Sequence, residues 1–270
     1  MILVKSFPTK NLCYLIIKKE LRKIEFVVKY ICKKVKKKGE TMKQKIKNII
    51  KKNIKWIAVF ICIVIFWGLL EDIFEKEKMF IDTVIYQLVV LNFRTEKLTL
   101  IFKIITNLGG SYVLITIALF CLIFLKNKRM AIGINLNLII TATLNFALKN
   151  IIQRPRPEGY RLIDESGYSF PSGHSMVSMA FYGFLIYLIW KNVKNKKVKY
   201  ISCTLLGLLI PTIGFSRIYL GVHYASDVAG GFVISIAYLV MFTTFAKSIW
   251  KIKDIEEKNE KEETNETVKK

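Results

Sequence analysis

Residues 56–70 read WIAVFICIVIFWGLL, a run with no charged side chain. With its flanks it approaches the roughly 20 residues a helix needs to cross the hydrocarbon core of a bilayer. The chain is therefore read as a membrane protein, and the question becomes how often it crosses. Working outward, further apolar runs at about 109–125, 131–148, 175–190, 200–215 and 228–246 give six spans in all. The stretch 71–108 is apolar only in patches and is cut by Asp82, Arg94, Glu96, Lys97 and Lys103. One or two helices lying along the membrane surface are expected there, with a re-entrant hairpin as the alternative.

Hydrophobic residues make up 53% of the 270 positions, yet 43 Lys+Arg against 20 Asp+Glu leave a formal charge of +23. Where that charge sits decides what it means. The connections KNKRM (126–130) and KNVKNKKVK (191–199) are short and basic, as is the N-terminal segment. By the preference of Lys and Arg for cytoplasmic loops, these segments belong inside. Both termini then lie in the cytoplasm, and 71–108, 149–174 and 216–227 lie on the outer face of the cell membrane. The charge is topology, and a nucleic-acid partner is not expected. Residues 1–55 form a basic segment with apolar clusters at Leu15-Ile16-Ile17 and Phe26-Val27-Val28. They read as an amphipathic stretch on the inner leaflet, where each Lys gains roughly 1 kcal/mol, or as a disordered basic tail. A lesser alternative is that translation starts at Met42, with MKQKIKNIIKKNIK, which would leave 1–41 unused. Residues 249–270 are charged and expected to be disordered, so the working domain is 56–248.

The chemistry is concentrated in two of the outer segments. One runs from Lys149 through Arg154-Pro155-Arg156-Pro157 to Phe170-Pro171-Ser172-Gly173-His174; the other is Ser216-Arg217 to His223 and Asp227. Charged groups at a membrane boundary are costly unless paired or hydrated. Taken singly, Lys149 and the Arg-Pro-Arg-Pro run are also what ordinary interface anchors look like, and His174 what a helix cap looks like. Taken together, Lys149, Arg156 and Arg217 offer the point charge and planar forks that hold a tetrahedral dianion. Ser172 and Gly173 stand where a helix begins, and its unpaired amides favour phosphate oxygens. His223 and Asp227 are four apart, so in a helix they share a face. The carboxylate would then hold one ring N–H and leave the other nitrogen as a nucleophile. A helix-stabilising pair is the plain alternative. Cys13, Cys32, Cys62, Cys121 and Cys203 are scattered with no CxxC pair. With two histidines and no carboxylate cluster, neither a metal nor a cofactor is expected.

The three pieces Lys149-x6-Arg156-Pro157, Pro171-Ser172-Gly173-His174 and Ser216-Arg217-x5-His223-x3-Asp227 resemble, in order and spacing, the motifs of the type-2 phosphatidic acid phosphatase superfamily. These lipid phosphatases share a fold with soluble acid phosphatases and vanadium haloperoxidases. The resemblance covers about residues 56 to 246 and implies an all-α, six-helix membrane core. It implies that His223 attacks phosphorus, Asp227 orients it, and His174 protonates the leaving oxygen and then activates water. Lys149, Arg156 and Arg217, helped by Ser172 and the Gly173 amide, would hold the phosphoryl oxygens without a metal. The expected substrate is a lipid phosphate or diphosphate entering from the outer leaflet. Undecaprenyl diphosphate comes first, with phosphatidic acid and phosphatidylglycerol phosphate as alternatives. Arg154 lies outside the motifs and is expected to contact a second phosphate. Phosphotransfer to a lipid headgroup would use the same residues. A non-catalytic lipid transporter would need no His223–Asp227 pair.

Overall fold

The computed structural model describes residues 40–75, 79–159 and 161–250. The expected amphipathic segment before residue 40 and the tail from 251 lie outside them. The chain divides into two compact units, Met1–Lys55 and Trp56–Lys270. The described part of the first is helical from Glu40.

All regular structure among the described residues is helical: α1 (Glu40–Phe74), α2 (Phe80–Tyr86, continued by a π turn Gln87–Leu91), α3 (Glu96–Asn107), α4 (Ser111–Phe124), α5 (Lys128–Ile152), α6 (Gly173–Asn192), α7 (Lys196–Tyr219) and α8 (Ala225–Trp250). Their starts follow local chemistry. Thr95, Asn127 and Asn195 cap α3, α5 and α7 by accepting the amides of Leu98, Met130 and Val198, satisfying donors that the first turn leaves unpaired. At the far end of α5, Gln153 takes a left-handed conformation (φ 53°) and the helix stops.

Five helical stretches are long and apolar enough to span a bilayer: Asn53–Phe74, Lys128–Ile152, Gly173–Asn192, Lys196–Tyr219 and Ala225–Ala246. The run at 109–125 does not make a straight sixth span. α4 is too short by itself and qualifies only together with α3, which meets it at a 42° bend. Of the stretch expected along the membrane surface, Phe80–Leu91 is a shorter apolar helix, and Glu96–Asn107 belongs to a broken span or re-entrant pair. Space explains the bend. A β-carbon on Gly109 would lie 2.5 Å from the Ile213 side chain and 3.4 Å from the His174 ring, so a glycine lets the chain turn against α6 and α7.

α6 is the centre of the bundle, packed on α5, α7 and α8. Its Phe181, Tyr182, Phe184 and Leu188 meet Leu114 of α4, Ile134 of α5 and Ile213 of α7 in one buried cluster. The outer belt is apolar as well: Phe60, Trp67, Phe146, Leu205 and Leu208 stay 62–72% exposed. Bulky apolar groups on several long apolar helices match lipid rather than water, and the chain is a multi-pass membrane protein. Alternation along the bundle brings the end of α5, the start of α6, the end of α7 and the start of α8 to one end, which is where the site lies.

Candidate active site

Two connections build the site, the loop from Gln153 to Ser172 and the turn from Leu220 to Tyr224. They are laced together. The Leu162 amide donates to the Leu220 carbonyl (3.0 Å), the Ser169 amide to Arg154 (2.8 Å), and the Ser172 amide to the Asp227 carbonyl (3.0 Å). Gly221 at φ 76° allows the reversal that follows α7.

His223 precedes α8 instead of lying within it. The expectation of two residues on one helical face is therefore corrected. The pair meets because the chain turns before the helix and the Asp227 carboxylate reaches back, taking the Tyr224 amide at 2.8 Å as an N-terminal capping carboxylate does. Its Oδ2 stands 3.4 Å from His223 Nδ1 and also accepts the Ser169 hydroxyl. The Ser169 Oγ is 3.3 Å from the same ring nitrogen. On the other side Arg156 Nη1 lies 3.0 Å from His223 Nε2. A guanidinium only donates, so Nε2 presents its lone pair and Nδ1 carries the proton toward Asp227 and Ser169. The ring is 4% exposed, and burial, reinforced by Arg217 and Arg156 and opposed by Asp227, pushes its pKa down to about 4.

Arg156 is fixed at four points. Besides His223 it donates to the carbonyls of Gly167, Val222 and Ser166, each at 3.0 Å. Arg217, 1% exposed, donates to Thr106 Oγ1 at 2.8 Å and pairs with Glu165. Its buried Nε has no hydrogen-bond partner. Glu165 also stands 3.6 Å from Arg156, so a carboxylate of the chain's own joins the two guanidinium groups. Lys149 donates to the Tyr168 carbonyl, and its Cε lies 3.9 Å from where a β-carbon on Gly173 would be. That puts it beside the start of α6, where Asn145 donates to the Pro171 carbonyl (3.2 Å). Ser172 is buried and accepts the Ser175 hydroxyl at 3.0 Å. His174 sits on the first turn of α6, within electrostatic reach of Arg217, His223, Arg156 and Lys149.

All eight candidates, Lys149, Arg156, Ser172, Gly173, His174, Arg217, His223 and Asp227, thus stand at one end of the bundle. Arg154 differs from its expectation. It donates to Asp227 (2.6 Å), Ser226 (2.7 Å) and Asp82 (2.8 Å), partners within the chain that occupy both terminal nitrogens. Sequence reasoning missed Asp82, Thr106, Glu165 and Ser169. Asp82 had a signal, as a lone acid inside the apolar FIDTVIY. Thr106 and Ser169 had none.

A sequence profile described as the PAP2 superfamily matches residues 130–251. The chain is 39% identical over 110 residues to Phosphatidylglycerophosphatase B of Bacillus subtilis, an alignment covering 39% of this chain and 53% of that one, so the chain spans about half of that relative's length. It is 24% identical over 159 residues to an Undecaprenyl-diphosphatase of Sulfolobus acidocaldarius, covering 57% of this chain and 72% of that one. The crystal structure of a transmembrane PAP2 type phosphatidylglycerolphosphate phosphatase from Bacillus subtilis superposes with a TM-score of 0.64 and 28% identity, over 71% of this chain and 97% of that one. Profile and fold agree over the helices that carry the site, and over residues 130–251 the chain is similar to the PAP2 superfamily.

Proposed function

We propose that this protein hydrolyses the terminal phosphate of a membrane lipid phosphate or diphosphate through a phosphohistidine. The observation that carries this reading is the orientation of His223: a lone pair on Nε2 next to a fixed guanidinium, and a proton on Nδ1 facing a buried carboxylate. A phosphoryl oxygen that takes the Arg156 donor uncovers that lone pair in line for attack. The Nε2–P bond forms as the bond from phosphorus to the lipid oxygen breaks. His174 gives its proton to the leaving oxygen, then takes one from the water that cleaves the phosphohistidine. Arg156, Arg217 and Lys149, with Ser172 and the Gly173 amide, neutralise the phosphoryl charge as it develops. His223, His174 and Asp227 are the catalytic residues of this reading.

The substrate is a lipid whose tails stay in the bilayer. The relatives' names cover a phosphomonoester and a diphosphate, and undecaprenyl diphosphate is the substrate we favour. Basic connections 126–130 and 191–199 support a site on the outer face of the cell membrane with both termini in the cytoplasm.

The test is phosphate release by the purified protein in detergent from undecaprenyl diphosphate, phosphatidylglycerol phosphate and phosphatidic acid, with excess EDTA and with His223→Ala. Release that persists in EDTA and disappears in the variant is expected. Full activity of His223→Ala would sink the mechanism, and a phosphorylated lipid product in place of free phosphate would turn it into phosphotransfer. Removal of residues 1–41 is expected to leave turnover largely intact.

A further inference from the structure

Asp227 is fully buried, and its two oxygens face different partners. Oδ2 serves His223, Ser169 and the Tyr224 amide. Oδ1 takes Arg154 Nη1 at 2.6 Å. The Arg154 guanidinium is itself held on all sides. Nη1 also reaches Ser226 Oγ (2.7 Å), Nη2 reaches Asp82 Oδ2 (2.8 Å), and its centre lies 4.3 Å from the middle of the Tyr224 ring. Asp82 is 7% exposed and takes the Ser226 amide (2.8 Å) and hydroxyl (2.6 Å). The short helix α2 is thereby fastened to the carboxylate behind the nucleophile by a chain of two acids and one arginine.

A buried carboxylate needs a cation close by. Two candidates are in contact with Asp227, His223 and Arg154. If His223 balanced it, the imidazole would carry both protons and could not attack. Arginine keeps its charge at every accessible pH, and here Asp227 and Asp82 outweigh the effect of burial and hold the guanidinium above its usual range.

We propose that Arg154, anchored by Asp82, is a positioning residue for phosphoryl transfer: it balances the charge of Asp227, which can then orient the His223 Nδ1–H without drawing a second proton onto the ring. This rests on His223 being the nucleophile. The charged and titratable groups around His223 are Asp227 from α8, Arg156 from the long loop with Glu165 behind it, Arg217 from α7, His174 from α6 and Lys149 from α5. Asp227 is the anion on the ring itself, Glu165 being paired with the two arginines, and Arg154 acts through Asp227.

The test is a ring titration. The chain has two histidines, so in a His174→Gln background the full-length, histidine-labelled protein in detergent micelles gives one imidazole signal by NMR. Arg154→Gln is expected to raise the His223 pKa by at least about one unit, while Arg154→Lys stays near the parent. Asp82→Asn removes an anion, so it leaves the pKa unchanged or lowers it, and the double variant falls between the two. Opposite shifts from neighbouring residues are a signature of charge that loosened packing does not produce. In the otherwise unaltered enzyme, the acid limb of kcat for phosphate release moves up in Arg154→Gln, and KM changes little.

An unmoved titration in folded Arg154→Gln, or shifts of the same sign in Arg154→Gln and Asp82→Asn, would overturn the proposal and leave Arg154 structural. Should Arg154→Gln not fold, the double variant compared with Asp82→Asn isolates the same charge. Activity in His223→Ala would defeat the nucleophile reading instead, an outcome separable from the titration.

Discussion

Arg156 Nη1 and His223 Nε2 stand 3.0 Å apart, so the group that would bind the phosphoryl oxygen in the free enzyme rests on the atom that would attack it. The two functions are coupled by one side chain. A lysine would keep the charge and lose the fork that serves Gly167, Ser166, Val222 and His223 together. Arg156→Lys is expected to lower kcat/KM for phosphate release at least about 100-fold, the scale of removing one oriented donor. A variant within threefold of the parent would show that charge alone suffices.

Glu165 bridges Arg156 and Arg217, and under the proposed function an incoming phosphate would have to take over both. A ligand that displaces an internal partner binds more weakly by the fraction of time the site is open. Glu165→Gln should therefore lower the inhibition constant of inorganic phosphate several-fold. It should also lower the melting temperature of the free protein, because two buried guanidinium groups lose their anion. Weaker phosphate inhibition in the variant would mean that Glu165 stays in place and helps to hold the ligand.

The His223 ring, at about 4 against an ordinary 6.5, gives a pH window with a definite sign. Between those values the unfolded chain binds a proton that the folded chain refuses, so folding stability falls as pH drops through the window and is unaffected by this group above it. Thermal unfolding in detergent from pH 4 to 7.5 should show the parent losing stability toward acid more steeply than His223→Gln. Equal slopes would mean that the ring titrates at its ordinary value.

The spans were legible because composition alone decides them: WIAVFICIVIFWGLL has no way to be soluble as an exposed helix. The clustering of the candidate residues was legible because two short polar segments between apolar runs carry Lys149, Arg156, His174, Arg217, His223 and Asp227, and alternating helices bring those segments to one end. The broken pair α3–α4 was not. Its bend depends on Ile213 and His174 from distant helices crowding Gly109, a contact that no local pattern encodes. The partners of Arg154 were hidden for the same reason, since Asp82 and Asp227 lie far away in sequence on either side of it. The His223–Asp227 pair was found by a helical spacing that the structure replaces with a turn, because a spacing of four fits both a helical face and a carboxylate folding back over a helix start.

Gly230 shows how closely α8 supports the site. A β-carbon there would lie 2.5 Å from two atoms of the Phe170 ring, which is fully buried against Phe66 and Ile152 and so has little room to give. Phe170 leads directly into Pro171-Ser172-Gly173, so a displaced ring displaces the start of α6, where the proposed phosphate site lies. Gly230→Ala is expected to cost about 1–3 kcal/mol by overpacking and to depress turnover. Gly68, also helical, has nothing within 4 Å of its added β-carbon, and Gly68→Ala should instead gain up to about 1 kcal/mol from helix propensity. Melting curves of the two variants in the same detergent separate these effects. Equal, small shifts in both would mean that the contact between α8 and Phe170 is loose enough to absorb a methyl group, and that Gly230 does not hold the start of α6 in place.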